Sequence, residues 1–218
     1  MPRSLQTIAA TLLAVGALAV ALAATATGRP AYSETPAAAA VKAASTGVTP
    51  TSTPAAVPVS RLAADVLTAR MATAKYASNL AAAKAAGYGI ITRMIPSMGY
   101  HFLNPKIAGF NLRKPQILVY EHQGSSWQLG ALEWVYTSMP AHPPLPGASY
   151  GVFGAACHYV DGTFVFAAAQ SMCAAKSPST GAAFNFWHPR LVTLHFWIWY
   201  PNPSGIYMGI NPLVAPFR

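Results

Sequence analysis

The chain has 218 residues, of which 53% are hydrophobic and only 9% charged. That length suits one domain with extensions and is enough to bury a core. The net charge of +9 is spread singly, with Arg113-Lys114 the one adjacent basic pair, so no basic stripe or motif marks a nucleic-acid binder. Weak attraction to anionic envelope polymers is what such a charge balance allows.

Met1-Pro2-Arg3 precedes an apolar run from Ile8 to Ala26 that ends in the small residues Ala21-Leu22-Ala23 and Ala24-Thr25-Ala26. A positive start, an apolar core and a small-residue end describe a secretory signal peptide over 1–26, cleaved after Ala23 or Ala26. The run is nearly long enough for the rival reading, an uncleaved anchor. With the signal removed, no stable membrane insertion is expected. Residues 27–59 are rich in Ala, Thr, Pro and Ser and nearly devoid of large apolar residues. They cannot bury enough surface to fold, so a disordered linker is expected before a single domain at 60–218.

From Ser60 onward, Leu62, Val66, Ala69, Thr73, Tyr76, Leu80 and Ala83 recur at helical spacing. Ser60 can cap that helix and Gly87 can end it. Beyond Gly89 the signals are β and turn. Gln116 to Glu121 and Trp127 to Thr137 flank a turn-rich stretch and read as a hairpin. In its second arm, alternation places Trp127, Leu129, Ala131, Glu133, Val135 and Thr137 on one face. Glu133 thus lies among apolar neighbours, where an unpaired carboxylate is costly to bury. Val152 to Val160 and Thr163 to Ala168 flank Asp161-Gly162, a two-residue hairpin turn that makes Asp161 a turn residue.

Leu191 to Tyr200 is rich in β-branched and aromatic residues and bounded by prolines, which makes it a strand. Leu191, Thr193, His195, Trp197 and Trp199 share one of its faces, and both faces are bulky, as in a covered central strand. One helix followed by antiparallel strands is an α+β domain, the N-terminal helix packing on a sheet that can curl toward a barrel. Cys157 and Cys173 are an even pair in an exported chain, and one disulfide is expected.

Four segments carry a resemblance: Met98-Gly99-Tyr100-His101-Phe102-Leu103-Asn104-Pro105, Gln116 to Glu121, Leu129-Gly130-Ala131-Leu132-Glu133-Trp134, and Thr193 to Tyr207. They resemble a family of secreted bacterial proteins with the pattern GMGYHYVNP, PEVLLYE, LVGVEY and LHVWLWKDNPDGMFAPWNP. Tyr200 stands where that pattern has a charged residue. The resemblance spans roughly residues 61–218. It implies export and the domain limits; the family carries no assigned activity, so no reaction follows from it.

His101, Glu133 and His195 can be drawn toward one site, with His188 as a fourth member. Imidazoles with one carboxylate suit a divalent transition metal such as zinc, copper, iron or manganese. No H-x-H or H-E-x-x-H spacing reinforces that reading. Each histidine alone is more often a hydrogen-bonded core or surface residue than a ligand. His122 and His142 read as surface residues. His158 ranks low because it adjoins Cys157 in a strand engaged by the disulfide. No G-x-S-x-G, phosphate loop or dinucleotide fingerprint occurs. The competing class is a metal-free binding module, in which Trp127, Trp134, Trp187, Trp197 and Trp199 form an aromatic platform for a sugar or other small apolar ligand.

Overall fold

A computed structural model describes residues 60–217; the expected signal peptide and linker lie outside the described residues. The domain is α+β. Its helical part is α1 (Arg61–Thr73), a 3-10 turn (Ala74–Tyr76) and α2 (Leu80–Ala85). Ser60 Oγ accepts from Ala63 N and Asn79 Oδ1 from Ala82 N, so each helix has its own side-chain cap. The single helix expected to run to Gly87 is therefore broken. The sheet breaks it: the Tyr76 carbonyl accepts from the Tyr120 hydroxyl, and the Ala77 carbonyl accepts from Leu129 N, each at 2.7 Å. Carbonyls engaged sideways in this way no longer serve a continuous helix.

Among the described residues nine strands follow: β1 (Gly89–Ile95), β2 (Gly99–Leu103), β3 (Ile117–Gln123), β4 (Ser126–Tyr136), β5 (Gly151–Phe153), β6 (Ala156–Tyr159), β7 (Phe164–Phe166), β8 (Phe184–His188) and β9 (Leu191–Phe196). Six form one antiparallel sheet in the order β1-β2-β3-β4-β9-β5, and three form a small antiparallel sheet in the order β7-β6-β8. The expected strand from Val152 to Val160 is thus two strands. It divides at Gly154, against which the Phe166 ring packs too closely to leave ordinary room for a side chain.

One face of the large sheet carries Leu118, Tyr120, Leu129, Leu132, Trp134, Leu194 and Phe196, buried together with Ala69, Tyr76, Leu80 and Ala83 of the helical segment. Fully burying a large apolar side chain stabilises by about 1.5–3 kcal/mol, which makes this layer the main core. The opposite face carries Ile117, Val119, Ala131 and Trp197. Bulges set which residue faces which side. In β4, Val119 pairs with Ala131 but Tyr120 pairs with Leu129, so Gly130 is an extra residue. Trp127 and Leu129 are consequently on the helix side, and not beside Glu133 as simple alternation gives. In β1, Ile90 pairs with Phe102 and Thr92 with His101, leaving Ile91 as the extra residue.

β9 ends at Phe196 because Trp199 N and Tyr200 N both donate to the Gly130 carbonyl, folding the chain over the bulge. Trp199 then reaches the helix, where its Nε1 donates to Thr73 Oγ1 at 2.9 Å. It leaves the His195 face to which alternation assigns it.

The small sheet has its own cluster of Cys157, Tyr159 and Ala167, and the Cys157–Cys173 disulfide is present there. Arg93 ties this sheet to β1: its guanidinium meets the Asp161 carboxylate at 2.6 Å, and its N–H donates to the Gly162 carbonyl at 2.8 Å. Asp161 is a turn residue, its carboxylate accepting from the Thr163 N–H and hydroxyl.

The disulfide closes a loop with a sequence separation of 16. Replacing both cysteines by serine should lower unfolding stability by about 3 kcal/mol in the chain-entropy account. The measurement is a urea midpoint that falls at unchanged slope. Thiol labelling of the unreduced, unfolded protein should find no free cysteine.

Candidate metal centre

Three strands of the large sheet, two of them neighbours, each present one ligand-type side chain on the face away from the helices. His101 comes from β2, Glu133 from β4 and His195 from β9, where Glu133 and His195 are direct cross-strand partners. The Gly130 bulge gives Glu133 this orientation. His101 Nε2 lies 3.5 Å from Glu133 Oε2, and His195 Nε2 lies 3.7 Å from Glu133 Oε1. One ligating atom from each of the three falls within 4.8 Å of the others. A single ion bound at about 2.0–2.2 Å requires the widest pair of that triangle to draw together.

All three side chains are buried, at 4%, 4% and 2% relative exposure in chain order. Thr92 Oγ1 sits 2.7 Å from His101 Nδ1 and accepts from His101 N, which fixes the ring and directs Nε2 to Glu133. Glu133 Oε2 and both nitrogens of His195 have no hydrogen-bond partner. Buried polar atoms are almost always partnered, so two orphans facing each other, Glu133 and His195 Nε2, mark a place built for something further. His195 is held between Trp197, whose ring stacks on it, and Gly209 of the C-terminal segment. Trp197 is locked in turn by its Nε1 donating to the Met208 carbonyl.

The group opens on a cavity of about 620 Å³. Its walls are mainly apolar, with Ile91, Leu103, Ile117, Val135, Phe153 and Ile210 among them. His188 lines the same cavity, but it turns to His158 instead of joining the three convergent groups: the two Nε2 atoms are 3.0 Å apart. His158, which ranks low on sequence, is 1% exposed and faces the cavity. Strand parity could have placed it there. Cys157 and His158 are consecutive, so they point to opposite faces, and a disulfide on one face leaves the other free. Glu121 is a second buried carboxylate without partners, packed against Gly99 and Gly130 outside the cavity.

No family model matches the chain, and no curated protein or solved structure matches it.

Burial dominates the titration of these groups. It lowers His101 to about 3, with His195 adding to the effect, and lowers His195 and His158 to about 4. His188 is lowered as well, first by burial. Burial raises Glu133 and Glu121 to about 8. In the metal-free protein near neutral pH the histidines are therefore neutral and the two carboxyls protonated.

Opposite signs follow for stability. Below about pH 6.5 the unfolded chain takes up protons that the four folded histidines refuse, so stability falls as pH falls toward 4. Between about pH 4.5 and 8 the two folded carboxyls hold protons that the unfolded chain has lost, so they withdraw stability as pH rises. Four histidines outweigh two carboxyls below about pH 6.5, and only the carboxyls act above it. Chelator-treated protein should be most stable near pH 6.5 and lose up to about 1.4 kcal/mol per pH unit for each carboxyl toward pH 8. Urea denaturation at pH 5, about 6.5 and 8 checks this.

Proposed function

We propose that this chain is an exported metalloprotein in which His101, Glu133 and His195 hold one divalent transition ion at the wall of an apolar ligand cavity. The observation that carries the reading is the convergence of three buried ligand groups, with Glu133 Oε2 and His195 Nε2 left without a hydrogen-bond partner. Two imidazoles and one carboxylate are a donor set for zinc, iron, copper or manganese. Bound there, the ion supplies a Lewis acid with open coordination positions. The chain's own residues do the remainder: Thr92 fixes the His101 ring, Trp197 braces His195, and the apolar walls admit a small apolar ligand while excluding water.

Export is supported by the Cys157–Cys173 disulfide together with the signal-like N-terminal sequence. Among the described residues no helix is long and apolar enough to cross a membrane. The resemblance to secreted bacterial proteins points the same way. The scattered basic residues argue against a nucleic-acid partner and leave weak contact with anionic envelope polymers as the nonspecific role of the net charge. An aromatic platform is less favoured. Trp134 and Trp197 are buried, and the indole N–H groups of Trp134, Trp187, Trp197 and Trp199 are each committed to internal acceptors.

Binding at Glu133 has a signature of its own. Its carboxyl is raised to about 8, so binding at pH 7 must expel a proton, and affinity should rise about tenfold per pH unit from 6 toward 8 and then level. Calorimetry of zinc binding in buffers of different ionisation enthalpy should detect that proton. Glu133→Gln should abolish the proton-coupled event and weaken this site at least about 100-fold, the upper end for loss of a mere outer-shell partner. Metal-free Glu133→Gln should remain folded, because an amide replaces a protonated carboxyl. His142→Ala, at an exposed loop position, should change nothing. Persistence of the proton-coupled event in Glu133→Gln would refute the reading.

A further inference from the structure

We infer that His158 and His188 form a second metal site in the same cavity, separate from the His101/Glu133/His195 group. The argument begins with hydrogen-bond direction. His158 Nδ1 lies 2.7 Å from the Ile91 carbonyl, and His188 Nδ1 lies 2.7 Å from the Pro189 carbonyl. A carbonyl oxygen can only accept, so each Nδ1 carries the hydrogen. In a neutral imidazole the other nitrogen is then bare. The two bare nitrogens, His158 Nε2 and His188 Nε2, lie 3.0 Å apart. Two lone pairs this close repel unless a cation lies beside them.

The separation discriminates among cations. Two imidazole nitrogens bound at about 2.0–2.1 Å to one ion stand about 2.9–3.4 Å apart when they take adjacent tetragonal or tetrahedral positions. In a linear arrangement they would stand about 4 Å apart. The observed distance fits adjacent positions on one ion, with the remaining positions directed to the cavity. The surroundings also match. A metal-bound histidine characteristically donates its other N–H to a carbonyl or carboxylate, and both of these do so. For His158 the carbonyl is that of Ile91, the extra residue of the β1 bulge. The ring is clamped by Phe186, stacked at 4.7 Å between centroids and 5° between planes. A site with two protein ligands suits an imidazole-preferring ion such as zinc, copper or nickel.

The test is zinc stoichiometry on the full oxidised chain, stripped with chelator and checked for folding by circular dichroism. The native protein should bind two equivalents. His188→Ala, at a half-buried position, should bind one, as should Glu133→Gln, and the double variant should bind none above weak background. If His188→Ala binds as many equivalents as the native chain, the second site does not exist. Nitrogen-15 imidazole spectra of the metal-free protein give an independent readout, in which zinc should move both Nε2 resonances. If those spectra show one proton shared by the two Nε2 atoms and unmoved by zinc, the pair is a proton-bridged strut and the inference falls. A native chain that binds one equivalent, lost in His188→Ala and kept in Glu133→Gln, would uphold the pair and sink the three-residue centre.

Discussion

Three consecutive residues of β1 hold the cavity together. Ile91 gives its carbonyl to His158, Thr92 steadies His101, and Arg93 grips Asp161 and the Gly162 carbonyl. Each link runs from the edge of the large sheet to something that must be placed, and two of the three cross to the small sheet. An edge strand presents unpaired carbonyls on its outer side, and β1 is such an edge. Its Ile91 carbonyl goes to His158, while the bulge at Ile91 sets Thr92 opposite His101. The Arg93–Asp161 contact is exposed and contributes little by itself. Its effect is geometric, because it fixes the register between two sheets whose facing surfaces make the cavity.

Charge is the second constraint. An isolated ion is very expensive to bury, and a buried acid avoids the cost by keeping its proton. Glu133 and Glu121 both take that course. They differ in company. Glu133 has two imidazoles at hand and an opening to the cavity, whereas Glu121 is closed in by Gly99 and Gly130. The same burial that makes a carboxyl neutral makes it responsive, since a cation arriving nearby shifts the balance toward the charged form.

Much of this was legible in the sequence. Ligand-type residues set in apolar strands singled out His101, Glu133 and His195, and the even cysteine pair located the disulfide. What could not be read were effects of one residue meeting a distant one. The break before Asn79 depends on Tyr120 and Leu129 capturing helical carbonyls. The fate of Trp199 depends on Gly130, whose own role appears only when Trp197 is found against it, close enough to crowd any side chain there. Adjacency along the chain joins His158 to the disulfide-bonded Cys157, whereas the strand separates the two by face. The neighbour of His188 in space, His158, is 30 positions away in sequence, a contact that no local pattern shows.

The extra residue at Gly130 makes β4 behave like a reading frame. Upstream of it, odd positions serve the helix side; downstream, odd positions serve the cavity. Parity between the hairpin turn and Glu133 is therefore an inherited quantity, as fixed as the residue itself. Gaining or losing one residue there would carry the carboxyl into the layer of Leu132 and Trp134 and bring an indole or a leucine out to face His195. Gaining or losing two would keep every face as it is. Length variation in this strand is thus permitted in even steps, a restriction that the surface loops of the same chain do not share.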